Sequence, residues 1–552
     1  MIGVNSLEGW RRRAAFFTVI AISLLTATQA PSAQDEATVS ALKERVKAAS
    51  QSANEGWEPL LATLAKAYAD RDHAPVWLSD GKPGRRAEAL LAALKGLADD
   101  GLEPEDYDVT LIEKLLSSET PSDRARADFL MSRGLLLAAA DMSSGRVNAN
   151  AIDFNMSPVQ RRPDFAALAR DGLTASDPQA FLQSLAPAGR QYPALKKALA
   201  EWRERAKTEK YTIVPRGDLL RPGKCDPRVP FIRKRLSETE ADVPEAVGDA
   251  NCYDEKLVDA VKRFQEAHNL SVDGVIGPRV TASLNIPVEE KVQQVVVNLE
   301  RRRWAPEQLG SRYLWINAAD YFVMFVDDGQ VVFRSKVIVG TPKDQTPEIT
   351  STMTTFQTNP YWTVPTSIAG EEFLPMLRRD PYVLQKSNMR LFADWQSDTE
   401  VDPASIDWSN VNPKAFPYRI RQEPGASNAL GYIFFPFSNR YGIYLHDTGS
   451  RFLFTEGSRN FSHGCIRLQN PFDFVEAAVK SGGSVTRQQV EAMANAGRQA
   501  HFAFPAPIAI HVTYQTVFAD DAGKMQFRDD VYGRDRKVFA ALRRTRVVER
   551  TK

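Results

Sequence analysis

Between about residues 36 and 210 the apolar positions step by three and four. Leu60, Leu61, Leu64 and Tyr68 do so, and so do Leu90, Leu91, Leu94 and Leu97. This spacing predicts amphipathic helices, broken at Asp80–Pro83, Gly101–Pro104 and Ser143–Gly145. A charged, proline-bearing stretch from Arg205 to Asp226 marks a boundary. Beyond it Phe231, Leu236, Leu257, Val258, Val261 and Phe264 outline a second, smaller helical unit. After Pro287 the pattern changes to β-branched and aromatic runs, Tyr313–Asn317, Tyr321–Val326 and Val331–Val339, which predict strands. Asp327–Gln330 reads as a hairpin turn, and a second hairpin is expected from Tyr432–Phe437 and Gly442–His446. Asn470–Pro471 opens a helix, with Asn as its cap and Pro in the first position. The polar stretch between about Ile368 and Ile420 carries Tyr382, Phe392, Trp395, Trp408 and Tyr418, as expected of a lid or binding loop. The fold class is multidomain α+β.

At 552 residues the chain is too long for a single core. A net charge of +1 leaves no electrostatic footprint for nucleic acid, and the basic tail (Arg543, Arg544, Arg546, Arg550, Lys552) reads as a solvated end. Arg11–Arg13 precede an apolar run from Ala14 to Leu25, then small residues up to Ala33, the pattern of a secretory signal over residues 1–33. That run is shorter than the roughly 20 residues that cross a bilayer. An exported, soluble protein is expected. In an oxidising compartment two of the three cysteines, Cys225 and Cys252, could pair, which leaves Cys465 as the odd thiol.

Chemistry concentrates around that thiol. Cys465 ends the run Ser462-His463-Gly464-Cys465, and His446 stands upstream at a strand end. A thiol acts as its thiolate, and an imidazole is the usual device for making one. His463 and Gly464 could turn backbone amides toward a developing oxyanion, and Asp447 could fix the tautomer of His446. His268, His73, His501 and His511 read as structural. A zinc peptidase using His446, His463 and Cys465 is the competing enzyme, disfavoured because no further ligand stands at a recurring spacing. A non-enzymatic wall-binding protein is the other competitor.

His446, fifteen intervening residues and Ser462-His463-Gly464-Cys465 strongly resemble the L,D-transpeptidase (YkuD-type) catalytic domain. Phe264-Gln265 with His268, Asp273-Gly274 with Ile276-Gly277, and Leu284-Asn285 resemble the helical peptidoglycan-binding domain. Asn298–Arg301, Trp304, Pro306, Gln345–Pro347, Asn359–Pro365, Gln422–Gly425, Asn428–Gly431 and Tyr532–Asp535 resemble the large periplasmic subfamily, in which a helical scaffold and a capping insertion accompany the catalytic domain. The resemblance implies a scaffold over 34–214, a peptidoglycan-binding domain over 215–287, a catalytic domain over 288–518 and a C-terminal extension over 519–552. It implies Cys465 as the acylated nucleophile and His446 as the proton acceptor and donor. Ser462, His463, Gly464 and Asp447 would support the oxyanion site, and Arg467, Tyr444, Trp362 and Asn428 would contact substrate. The implied reaction is cross-linking of third-position diamino acids, with hydrolysis or protein anchoring as alternatives. No cofactor or metal is implied. Stem peptides and glycan are the expected partners, and carbapenem-type compounds the expected inhibitors.

Overall fold

The computed structural model describes residues 33–79, 81–208, 211–238, 243–246, 248–306 and 309–549. The expected signal therefore lies outside the described residues except at Ala33, as do Arg550 and Lys552 of the tail. Helices run from Ala33 to Thr208 around Pro121–Ser144, a helix buried on nearly every side. Its buried polar residues are partnered: Asp128 accepts from Tyr68 Oη, Ser132 from Trp77 Nε1 and Asp141 from Tyr107 Oη. Thr120 caps it by accepting from the Asp123 amide at 3.2 Å. The helices Val229–Ser237, Glu255–Ala267 and Pro278–Leu284 enclose a separate small core around Leu257, Val261 and Phe264. There Cys225 and Cys252 are joined by a disulfide. His268 is buried, its Nδ1 2.9 Å from the Phe264 carbonyl.

The change to strands comes later than the sequence pattern suggests. Val288–Trp304 is a helix, with Glu289 and Glu290 in its first turn and Arg301–Arg303 in its last, the polarity that suits a helix dipole. It is mostly buried and bonds to distant parts of the chain. Arg301 pairs with Asp535, and Asn298 donates to Thr516 Oγ1 at 2.7 Å.

Strands β1 (Arg312–Asn317), β2 (Phe322–Asp327), β3 (Gln330–Gly340), β4 (Ile349–Thr358), β5 (Ile433–Phe435), β6 (Leu445–His446), β7 (Asn460–Ser462), β8 (Ile466–Leu468) and β9 (Ala500–Thr513) form one sheet. Its order is β7-β3-β8-β6-β5-β4-β9-β1-β2, and β2 also pairs with β3, so the sheet closes on itself. The β4–β9 ladder slips between Ala503 and Ile508, where Pro505 and Pro507 have no amide to donate. Leu314, Phe325, Phe356, Phe435, Leu445 and Ile466 fill the interior, and the helix Pro471–Val479 adds Phe474 and Val475 to it. Asn470 precedes that helix, but its side chain makes no capping bond.

The insertion is a folded cap and not an open loop. Trp362–Thr363, Met389–Phe392 and Arg419–Gln422 form a three-stranded sheet. Leu374, Leu377, Leu391, Trp408, Phe416 and Ile420 pack a core of its own. The basic tail also departs from expectation. Arg546 is buried, with both oxygens of Asp141 at 2.8 Å, and Glu549 pairs with Arg45 at 2.8 Å. Charge along the sequence did not reveal that these residues grip the scaffold.

Candidate active site

β6 and β8 run parallel, with Leu445 opposite Ile466 and His446 opposite Arg467. Alternate side chains of a strand face opposite ways. Leu445 and Ile466 point into the core, so Tyr444, His446, Cys465 and Arg467 share the other face. All four line one cleft of about 410 Å³, which Trp362 and Ile368 of the cap region also border. The Tyr444 ring stands edge-on to His446, with centroids 6.3 Å apart.

The turn before Cys465 is held by a short chain of bonds. Ser462 Oγ donates to the Cys465 carbonyl at 2.5 Å and accepts from the Gly464 amide at 3.2 Å. Gly464 has φ +102°, a conformation in which a side chain would be strained. Its carbonyl accepts from Thr346 Oγ1 at 2.8 Å, and the same hydroxyl accepts from the Gly340 amide at 2.8 Å. Tyr532 Oη donates to the Gly340 carbonyl at 2.8 Å, while Arg534 Nη2 donates to the Thr346 carbonyl at 2.9 Å. Residues near the end of the chain thus reach the turn beside the thiol.

His446 is buried, and its Nδ1 lies 2.5 Å from the Asp447 carbonyl. It is the carbonyl of Asp447, not the carboxylate, that meets the ring. A carbonyl only accepts, so the proton is assigned to Nδ1 and Nε2 is left as the acceptor. The Asp447 carboxylate accepts from the Tyr432 amide at 2.9 Å and from Arg451 at 2.7 Å. Gly431 makes room for it: with φ +61°, a Cβ there would stand 2.5 Å from that carboxyl group.

Burial, helped by the nearby Arg467 charge, pushes the His446 pKa down to about 3. Burial pushes the Cys465 thiol up to about 11, against the pull of the Tyr444 backbone and of Arg467. Taking both groups out of water favours their neutral forms.

His463 borders the same cleft. Its Nε2 lies 2.6 Å from Glu372 Oε1 in the cap, and neighbouring Glu371 pairs with Lys343. Asn428 is corrected as a substrate contact. It is fully buried, donating to the carbonyls of Pro360 at 3.1 Å and Glu423 at 3.0 Å and accepting from the Leu430 amide at 2.8 Å. Thr346, Tyr532 and Glu372 are the participants that sequence reasoning gave no role. The first two lie in segments singled out for resemblance, while an isolated glutamate in a polar insertion gives no signal. Among the described residues no group of three or more His, Cys, Asp or Glu is gathered as a metal site requires.

Fold and site together define a closed β-sheet domain that presents a thiol and an imidazole in one capped cleft, behind a helical scaffold and a small helical domain. Family models match in the same order. They are described as "Scaffold domain" over residues 62–199, "Putative peptidoglycan binding domain" over 227–284 and "L,D-transpeptidase catalytic domain" over 311–491. The chain carries an L,D-transpeptidase catalytic domain of the YkuD type, together with the peptidoglycan-binding and scaffold domains. A curated protein of Haemophilus influenzae named "Putative L,D-transpeptidase" is 32% identical over 250 residues, which are 45% of this chain and 49% of that protein. The match therefore spans about half the length of that relative. An L,D-transpeptidase crystal structure from Xylanimonas cellulosilytica is 14% identical, covering 54% of this chain and 98% of that one at a TM-score of 0.17. The "Ldtfm-avibactam carbamoyl enzyme" is 11% identical, covering 58% of this chain and 98% of that one at a TM-score of 0.17. At such scores the likeness carries no argument.

Proposed function

We propose that the protein is a peptidoglycan L,D-transpeptidase working through a cysteinyl acyl-enzyme in the periplasm. The observation that carries this reading is the common face of Cys465 and His446 in the capped cleft. In the donor tetrapeptide, Cys465 Sγ attacks the carbonyl that joins the third-position diamino acid to D-alanine. The thiol proton passes to His446 Nε2 as the S–C bond forms, so ionisation accompanies attack. His446 then returns the proton to the departing amine, the C–N bond breaks, and D-alanine leaves a thioester behind. The side-chain amine of a second stem attacks the thioester, gives its proton to the imidazole and restores the thiol. Two easier substitutions replace one hard one. The cap would hold the stem against the strands, and the disulfide between Cys225 and Cys252 agrees with an oxidising compartment.

The test is incubation of the full chain with isolated muropeptides, followed by mass analysis of the peptide that contains Cys465. An adduct of the donor minus D-alanine, absent from Cys465→Ala, is the expected result. Dimers linked through third-position residues should accumulate; tripeptide alone would mean that water is the acceptor. An active Cys465→Ala variant would sink the assignment. A carbapenem should label the same peptide.

A further inference from the structure

A second cavity, of about 430 Å³, shares no residue with the catalytic cleft. Small-ligand sites span about 300–1,000 Å³. Its floor is the outer face of β1 and β2. Leu314, Ile316, Val323 and Phe325 point into the barrel, so Tyr313, Trp315, Phe322 and Met324 face the other way. Trp315 stands opposite Met324, and Met324 opposite Arg334 of β3. Arg302 of the helix Val288–Trp304 lines the cavity, as do residues of the segment from Gln515 to Arg528.

Two polar groups that line it lack protein partners. Among the described residues no hydrogen bond or ion pair reaches the Arg302 guanidinium, and its Nε is buried. The guanidinium faces the Trp315 ring, with Cζ 5.9 Å from the centroid. Its neighbours in sequence are matched, Arg301 with Asp535 and Arg303 with Glu300. So are the other arginines around the cavity: Arg190 and Arg334 share Asp521, and Arg528 holds Asp320. A guanidinium stays charged, so burying one without an anion costs free energy. Burial lowers the Arg302 pKa to about 10. Gln515 is 7% exposed. The Asn317 side chain takes both its backbone groups, while no described residue bonds its side-chain amide.

We infer that this cavity binds a sugar acid, a pyranose ring that carries a carboxylate. The carboxylate meets the Arg302 fork, a planar pairing that fixes direction as well as charge. The ring lies against Trp315 and Met324, and its hydroxyls bond the Gln515 amide. An inorganic anion would answer the guanidinium and leave the apolar floor wet. A fatty acid would cover the floor and leave the amide unmet. A charged sugar ring answers all three, the apolar walls and few polar anchors of a small-molecule site. No residue of the catalytic cleft takes part, so this inference stands or falls apart from the acyl-transfer reading.

The experiment is calorimetric titration of the full chain with three probes: N-acetylmuramic acid, its methyl ester, and D-lactate. The ester keeps the ring without the charge, and lactate keeps the carboxylate without the ring. Charged hydrogen bonds of this kind give the acid a preference of about 10- to 100-fold over the ester. Arg302→Gln should lower the acid's affinity to that of the ester and leave the ester's unchanged. Arg302→Lys should give an intermediate value, because an ammonium keeps the charge without the fork. Gln515→Leu should weaken acid and ester alike, because it removes a bond to the ring. A wild-type protein that binds acid and ester equally overturns the inference, whether or not any variant folds. So does one that binds lactate as tightly as the sugar acid, or none of the three. An Arg302→Gln protein that keeps full affinity for the acid does the same.

Discussion

The Nδ1 of His446 meets the Asp447 carbonyl at 2.5 Å, which leaves Nε2 as the nitrogen able to take a proton. With the imidazole pKa near 3 and the thiol near 11, the resting pair is neutral across the physiological range. Reagents that need a preformed thiolate should therefore react slowly. Carboxymethylation of Cys465 should rise about tenfold per pH unit between pH 7 and 10, read by mass on the tryptic peptide. A rate that levels off near pH 7 would show a resting ion pair and contradict this account.

The same burial sets how stability depends on pH. The folded His446 pKa is depressed from 6.5 to about 3. Between those values the unfolded chain takes a proton that the folded chain refuses. This contribution is present above pH 6.5 and is lost as pH falls toward 3, by about 1.4 kcal/mol per unit. The Cys465 thiol is raised from 9.0 to about 11, so its contribution is present below pH 9 and lost as pH rises toward 11. Melting of the catalytic domain in the wild type and in His446→Asn at pH 7 and pH 5 checks the acid side. The wild type should lose more than the variant. Equal losses would place the imidazole in a wetter setting than its burial implies.

The site and the fold were legible to different depths. Ser462–Cys465 and His446 stand out because catalytic residue types are rare in this chain and their spacing is local. Strands β1–β3 appear within a residue or two of their predicted positions because β-branched and aromatic runs suit a pleated, half-buried surface. The helix Val288–Trp304 hid in a segment dense with charge, whose burial depends on partners such as Asp535, more than two hundred residues away. Asn428 looked like a ligand contact because buried amides and binding amides share one residue type. The neutral state of the thiol and imidazole depends on how many atoms surround them, which no spacing encodes.

The cap is built to be removed. Trp362 pairs with Gln422 and Thr363 with Arg421, so its two ends leave the barrel side by side. Its apolar residues pack on one another. Its polar ties to the catalytic turn are exposed pairs, His463 with Glu372 and Lys343 with Glu371, and solvent-exposed pairs of this kind contribute little. Replacing residues 366–420 by a short glycine-rich turn should leave the barrel's melting temperature nearly unchanged. Thioester formation from a tetrapeptide should fall at least about tenfold, mainly through KM, because the stem loses one wall of its cleft. Unaltered turnover would remove the cap from the reaction.

Thr346 is expected to set the position of the turn that carries the thiol. Its hydroxyl donates to the Gly464 carbonyl and accepts from the Gly340 amide, each at 2.8 Å, and the residue is fully buried. Thr346→Val keeps the shape and leaves both partners unmet, a cost of about 1–3 kcal/mol for each buried group. Gly464 already holds φ +102°, and the released turn can relax away from it. A shift of about 1 Å at a reacting group can cost roughly 100-fold in rate. The expected signature is a fall in kcat for acylation larger than any change in KM, with Thr346→Ser restoring most of it through the same hydroxyl. Tyr532→Phe, which removes the bond to the Gly340 carbonyl one step further out, should give a smaller fall of the same kind. A Thr346→Val protein that melts earlier but turns over normally would show that the bond holds the fold and not the turn.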